Sequence, residues 1–118
     1  METKNKLSKI VEFLDEKKAR DIQNVNIEGI SILADYFVIC STTSTTHVRS
    51  LADNLIEKMK ENGVEVNHIE GYETARWILL DYGDIIVHIF HEDERKFYNL
   101  ERLWSDGIFS YKNNKEVY

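Results

Sequence analysis

Residues 79–91, Leu-Leu-Asp-Tyr-Gly-Asp-Ile-Ile-Val-His-Ile-Phe-His, bring two aspartates and two histidines into one short stretch. Paired carboxylates can hold Mg²⁺ or divide acid and base roles. On one strand, however, two carboxylates share a face only when a single residue separates them. Asp81 and Asp84 are three apart with Tyr82-Gly83 between them, so the simpler role for both is to satisfy backbone groups of a turn. His88 and His91 are also three apart. By strand alternation they point to opposite faces and form no local metal pair. His47 and His68 fall on other elements, and no spacing joins them into a metal site. His88 shares a face with Ile86 and Phe90, which predicts a half-buried histidine at a contact surface.

Two other stretches invite a chemical reading. Cys40 is the single cysteine, which rules out an intramolecular disulfide and a thiolate metal cluster. It ends an apolar run, where a thiol behaves as a small hydrophobe, and nothing nearby in sequence would lower its pKa for nucleophilic work. The hydroxyl-rich stretch Ser41 to His47 runs into a helical pattern, and helix N-termini attract anions. It has neither a glycine to bring backbone close to a phosphate nor a lysine in the loop, and it matches no phosphate-loop motif. An N-cap at Ser44 or Thr45 explains it. A nucleotidyl- or phosphotransferase using this loop is the enzymatic alternative.

The elements that position these residues follow from hydrophobic periodicity. Leu7, Ile10, Val11 and Leu14 predict an amphipathic helix from Thr3 to about Lys18. In residues 21–27, Ile22, Asn24 and Asn26 alternate with Gln23, Val25 and Ile27, the pattern of a strand. Residues 34–41, Ala-Asp-Tyr-Phe-Val-Ile-Cys-Ser, read as a central strand buried on both faces. Val48, Leu51, Ala52, Leu55, Ile56 and Met59 predict a long helix that Asn62-Gly63 stops. A short strand within 64–71 follows, then an antiparallel pair in 76–81 and 84–90 joined by a tight connection at Tyr82-Gly83. Residues 91–98 place acids before bases, as a helix dipole favours, and Phe97, Leu100 and Trp104 continue an apolar face. The order implies a single α/β domain over 1–107, with a mixed sheet of about five strands flanked by helices. Residues 108–118 have little to bury and read as a frayed tail.

Trp77 is the ambiguous residue. Trp77, Leu79 and Asp81 face one way, and Ile78 and Leu80 the other. Either the hairpin is buried on both sides, or one side is an apolar patch for a partner.

Totals narrow the function. A chain of 118 residues, 42% hydrophobic and 31% charged, has the balance of one globular domain. Residues 30–40 hold the longest nearly apolar stretch, well short of the ~20 residues that span a bilayer, and the charged N-terminus has no signal-peptide core. Both point to the cytoplasm and no membrane. The formal net charge is −6, the opposite of the basic stripe that phosphate backbones require. Little direct nucleic-acid contact is expected, and work near RNA would run through a basic protein.

Residues 34–63, followed by Glu-Gly-Tyr-Glu-Thr-Ala-Arg-Trp-Ile-Leu-Leu-Asp-Tyr-Gly-Asp-Ile-Ile-Val-His-Ile-Phe-His and the run Phe-Tyr-Asn-Leu-Glu-Arg-Leu-Trp, resemble the ribosomal silencing factor family, also called RsfS or Iojap. The resemblance covers roughly residues 5 to 107. It implies a nucleotidyltransferase-like α/β fold that has lost its catalytic equipment: Thr43-Ser44 stands where a Gly-Ser entry would be, and no Asp-x-Asp pair follows. It implies no enzyme and no cofactor. The implied role is to bind the large ribosomal subunit through ribosomal protein fourteen, block joining of the small subunit and lower translation when nutrients are scarce. With an acidic chain suited to a basic partner, the expected contact surface centres on Trp77, Leu79, Asp81, Tyr82, His88 and Phe90, with acidic support from Asp84 and Glu73. Pairing of the exposed sheet with a second copy of the chain is a third reading.

Overall fold

The computed structural model describes residues 1–32, 34–98, 108–111 and 116–117, with backbone alone described from 96 onward. Helix α1 (Thr3–Glu16) leads to β1 (Arg20–Asn26) and β2 (Tyr36–Thr42). Helix α2 (Thr45–Glu61) precedes β3 (His68–Glu70), β4 (Trp77–Asp81), β5 (Ile85–His91) and α3 (Glu92–Tyr98). Two short strands, β6 (Ile108–Tyr111) and β7 (Glu116–Val117), follow. The sheet order is β3-β4-β5-β2-β1-β6-β7. Strands β2 and β5 are parallel, and every other neighbouring pair is antiparallel.

Alternation assigns the two faces. Ile22, Val38, Cys40, Ile78, Leu80, Ile85, Val87 and Ile89 project to the side of α1 and α2, where they meet Ile10, Leu14, Leu51, Leu55 and Met59 in one buried cluster. Each such large side chain removed from water contributes about 1.5–3 kcal/mol, so this layer is the main source of stability. Val25, Ile27, Phe37, Ile39 and Phe90 form a second cluster on the opposite face, against which Trp77 and Ile86 are half-buried. On that face Arg95 of α3 donates to Gln23 Oε1 at 3.1 Å and to the Asp21 carbonyl at 2.7 Å, which ties α3 over the β1 bulge between Arg20 and Gln23.

The predicted elements are present, with two differences. The strand expected within 64–71 is confined to His68–Glu70. Val64 still belongs to the helix-side core and its N–H bonds the Met59 carbonyl at 2.9 Å, so the chain reaches the sheet edge only at His68. The tail read as frayed from 108 instead supplies β6, whose residues Ile108–Tyr111 pair with Gln23–Asn26. The cause is the free edge of β1, whose unpaired N–H and C=O groups favour any chain able to pair with them. The apolar face predicted through Phe97, Leu100 and Trp104 lies outside the described side chains.

Two glycines show how differently the same conformation can be constrained. Gly63 ends α2 at φ +81° with open space around it, whereas a Cβ on Gly71, at φ +78°, would lie 2.1 Å from the Trp77 carbonyl oxygen. Gly63→Ala should therefore cost about 1 kcal/mol of left-handed backbone strain. Gly71→Ala should cost more than about 2 kcal/mol, because the backbone of β4 must move. Urea unfolding of the two variants checks this ordering.

Candidate protein-docking face

The chemistry-bearing residues are largely occupied by internal work. Ser44 accepts the His47 N–H at 3.1 Å and caps α2. His47 Nε2–H donates to the Lys17 carbonyl at 2.8 Å, which leaves Nδ1 to accept from the Thr42 hydroxyl. The Ser41 to His47 loop thus locks the end of β2 to both helices, with Ser41 and Thr42 buried. Cys40 is fully buried, and burial pushes its thiol up to about 12, which keeps it protonated and unreactive. Among the described residues no group of three His, Cys, Asp or Glu side chains could hold a metal ion.

Asp81 closes the β4–β5 turn as the sequence suggests, whereas Asp84, expected to do the same, does not. Asp81 Oδ1 accepts the Gly83 N–H at 2.7 Å, while Gly83 adopts φ +90°. Asp84 reaches across the fold to α1. Its carboxylate accepts from the Thr3 hydroxyl at 2.5 Å and from Lys6 Nζ at 3.3 Å. Helix α1 has no side-chain cap of its own, so Asp84 supplies negative charge at the positive end of the helix dipole. Burial pushes the Asp84 carboxyl up, but the Thr3 and Lys6 contacts outweigh it and hold the group below the usual carboxylate range.

What remains on the face opposite α1 and α2 is a graded surface. Register places Glu70, Leu79, His88 and Ile39 in one row across the sheet, and His68, Asp81, Ile86 and Phe37 in the next. Burial rises along each row, from exposed His68 and Glu70 at the edge, through half-buried Leu79, Asp81 and Ile86, to buried Phe37, Ile39 and His88. Trp77 is half-buried between them. Its ring stacks on Phe90 with centroids 4.8 Å apart, and its indole N–H donates to His88 Nδ1 at 3.0 Å.

Of the contact residues expected from sequence, Trp77, Leu79 and Asp81 share this accessible flank, and Glu73 is exposed in the β3–β4 loop. The other four lie deeper in the fold or are engaged within it. Tyr82 follows Asp81 and by alternation turns to the helix side, where it joins the main core at 4% exposure. Phe90 is on the expected face but is only 1% exposed, because Trp77 covers it. Asp84 is taken by α1. His88, expected to be half-buried, is 5% exposed, packed edge-on to Phe37 at 4.8 Å. Sequence reasoning also missed Arg49 and Tyr72. Arg49 donates to the carbonyls of Tyr72 and Glu73, and the Tyr72 hydroxyl donates to Asp53 at 2.9 Å, which together hold the loop that carries Glu73. Arg49 does stand on the polar side of the predicted helix, but no local pattern names its partners.

The flank thus presents a half-buried aromatic ring and Leu79 with carboxylates around them. The chain belongs to the ribosomal silencing factor family: the family described as "Ribosomal silencing factor during starvation" matches residues 1–117. Ribosomal silencing factor RsfS of Halalkalibacterium halodurans is 45% identical over 107 residues, which span 91% of this chain and 92% of that protein. A crystal structure of a protein from Chromobacterium violaceum superimposes with a TM-score of 0.86 at 30% identity, covering 89% of this chain and 88% of that one. The mouse protein named "Mitochondrial assembly of ribosomal large subunit protein 1" is 31% identical over 99 residues, 81% of this chain and 43% of its own length. The family is regulatory, and none of these relatives carries an enzyme's name.

Two outcomes follow from the charges. Asp84→Asn removes the anion from the start of α1 and should lower stability by about 1 kcal/mol at pH 7, read by urea unfolding. Its effect should fade in acid, since a carboxyl depressed in the folded state stabilises above its unfolded pKa and loses that contribution as pH falls through the folded value. His88 acts in a different window. Burial pushes its imidazole down to about 4, so between about 6.5 and 4 the unfolded chain takes up a proton that the folded chain refuses. Stability should drop by about 2 kcal/mol between pH 7 and pH 5, and His88→Phe should remove most of that drop.

Proposed function

We propose that this chain binds the large ribosomal subunit, docks there on ribosomal protein fourteen through the β3–β4–β5 flank, and so blocks joining of the small subunit. The half-exposed Trp77–Leu79 strip within an acidic rim is the observation that carries the reading. Trp77 is fixed by Phe90 beneath it and by His88 beside it, so it meets a partner with little rotamer freedom left to lose. Leu79 and Ile86 extend the apolar centre, and Asp81, Glu70 and Glu73 supply negative charge around it. Ribosomal proteins are basic as a class, and a chain of net charge −6 gains steered association with them.

Two further supports are the family description, a silencing factor acting during starvation, and the mouse relative's name, which concerns assembly of a ribosomal large subunit. Repression of translation under nutrient limitation, in the cytoplasm, is the physiological setting this reading assigns. Among the described residues no helix is long and apolar enough to cross a membrane. The phosphotransferase alternative loses support, because Thr42, Ser44 and His47 of its loop are engaged in capping and inter-element bonds.

Co-sedimentation with isolated large and small subunits, followed by a subunit-joining assay, tests the proposal. Pelleting with the large subunit alone and loss of joined ribosomes are expected. Trp77→Ala should weaken that binding by more than about 1 kcal/mol while the protein stays folded by circular dichroism. Pelleting with neither subunit at low salt would overturn the reading.

A further inference from the structure

The β3–β4 loop, residues 71–76, is fastened along its whole length. Its ends are set by the sheet: a Cβ on Gly71 would lie 2.1 Å from the Trp77 carbonyl oxygen, and the Arg76 carbonyl accepts the His91 N–H at 2.8 Å. Ala75, at φ +56°, is fully buried in the helix-side core, and its N–H bonds the Gly71 carbonyl at 3.0 Å. The tip is held from α2. Arg49 donates through Nε to the Tyr72 carbonyl at 3.2 Å and through Nη2 to the Glu73 carbonyl. The Tyr72 hydroxyl donates to the Asp53 carboxylate, 2.9 and 3.0 Å from its two oxygens.

Tyr72 and Glu73 are exposed, so water could satisfy their carbonyls as well as Arg49 does. What the guanidinium adds is direction. The two carbonyls belong to the peptide units on either side of the Glu73 Cα, and each unit is planar. One rigid fork that holds both units therefore fixes φ and ψ of Glu73, and with them the line along which its side chain leaves the backbone. We infer that Arg49 is a positioning residue for docking: from the helix layer it aims the Glu73 carboxylate at a cationic side chain of the basic protein bound on the flank. This role rests on the docking reading above and deepens it. A carboxylate already in place spares the loop ordering that binding would otherwise cost. Charge alone predicts the opposite effect of losing Arg49. An acidic chain that sheds a cation attracts a basic partner more strongly, so the sign of the change separates the two roles.

The test measures, by calorimetry, the affinity of the intact protein for purified large-subunit ribosomal protein fourteen. Arg49→Met keeps an aliphatic stem and removes the donors and the charge. It should retain the parent's urea midpoint, loosen residues 71–76 in backbone ¹⁵N relaxation, and weaken binding at least about fivefold. Lys17→Met removes a cation from the same cavity beside α2 and leaves the loop ties in place, so it should bind as tightly as the parent or more tightly. Glu73→Gln should weaken binding at least about threefold in the parent but less than about twofold in the Arg49→Met background, where the carboxylate is no longer aimed. Losses that multiply independently would refute the positioning role, as would binding by Arg49→Met equal to or tighter than the parent's. Tyr72→Phe cuts the other tie without a change of charge. It should weaken binding in the same Glu73-dependent way, and it decides the matter if Arg49→Met fails to fold. No binding by the parent would overturn the docking reading itself, whereas parent binding that survives every one of these substitutions would leave that reading standing and remove this one.

Discussion

The parallel pairing of β2 with β5 is the constraint from which the rest of the molecule hangs. Seven residues of each strand are in register, from Tyr36 opposite Ile85 to Thr42 opposite His91. Parallel neighbours cannot be joined by a tight turn, so the chain must leave β2, cross the sheet as α2 and return. It returns by way of the edge, through β3 and β4, before β5 closes against β2. The helix-side residues of β2, β4 and β5 are consumed by α1 and α2, whereas Ile69 of the edge strand β3 stays exposed. On the other face, cover is complete at Val25, Phe37 and Ile39 and incomplete toward β4. The half-buried flank is thus a consequence of topology: β4 lies far enough from the centre to stay half-buried, and near enough to Phe90 and His88 to be held in place.

Electrostatics divides the acids into two populations. Asp81 and Asp84 are bound within the fold, one to the turn and the other to α1 across a sequence separation of 81 residues. Asp53 is held by Tyr72 and Glu94 by Arg76. Glu70 is exposed beside His68, and Glu73 projects from a loop fastened through its backbone carbonyl. Exposed pairs contribute little to stability, so these outer carboxylates matter through the field they present to an approaching partner.

Much of this was legible from sequence because strand alternation and helix periodicity are local. They separate Trp77, Leu79 and Asp81 from Ile78 and Leu80, place His88 with Ile86 and Phe90, and narrow the cap to Ser44 or Thr45, of which Ser44 is found. The same alternation would have turned Tyr82 inward, had it been carried one residue past Asp81. Other features depend on partners distant in the chain. The depth of Phe90 depends on Trp77 above it, the role of Asp84 on the position of α1, and the pairing of β6 on the free edge of β1. None of these has a signature within a window of ten residues.

The Trp77–His88–Phe90 group holds a half-buried aromatic ring in one orientation on the open face of the sheet. A lone exposed tryptophan would be mobile, and docking would have to order it. Here stacking at 4.8 Å and the indole hydrogen bond at 3.0 Å fix both ring angles before any partner arrives. The bond that orients Trp77 also determines which nitrogen of His88 keeps the proton. Burial keeps the imidazole neutral near pH 7, and a neutral ring can accept at Nδ1 and donate at Nε2 at once. A charged ring would have no lone pair for Trp77. The fixed orientation of Trp77 therefore depends on His88 being buried and neutral.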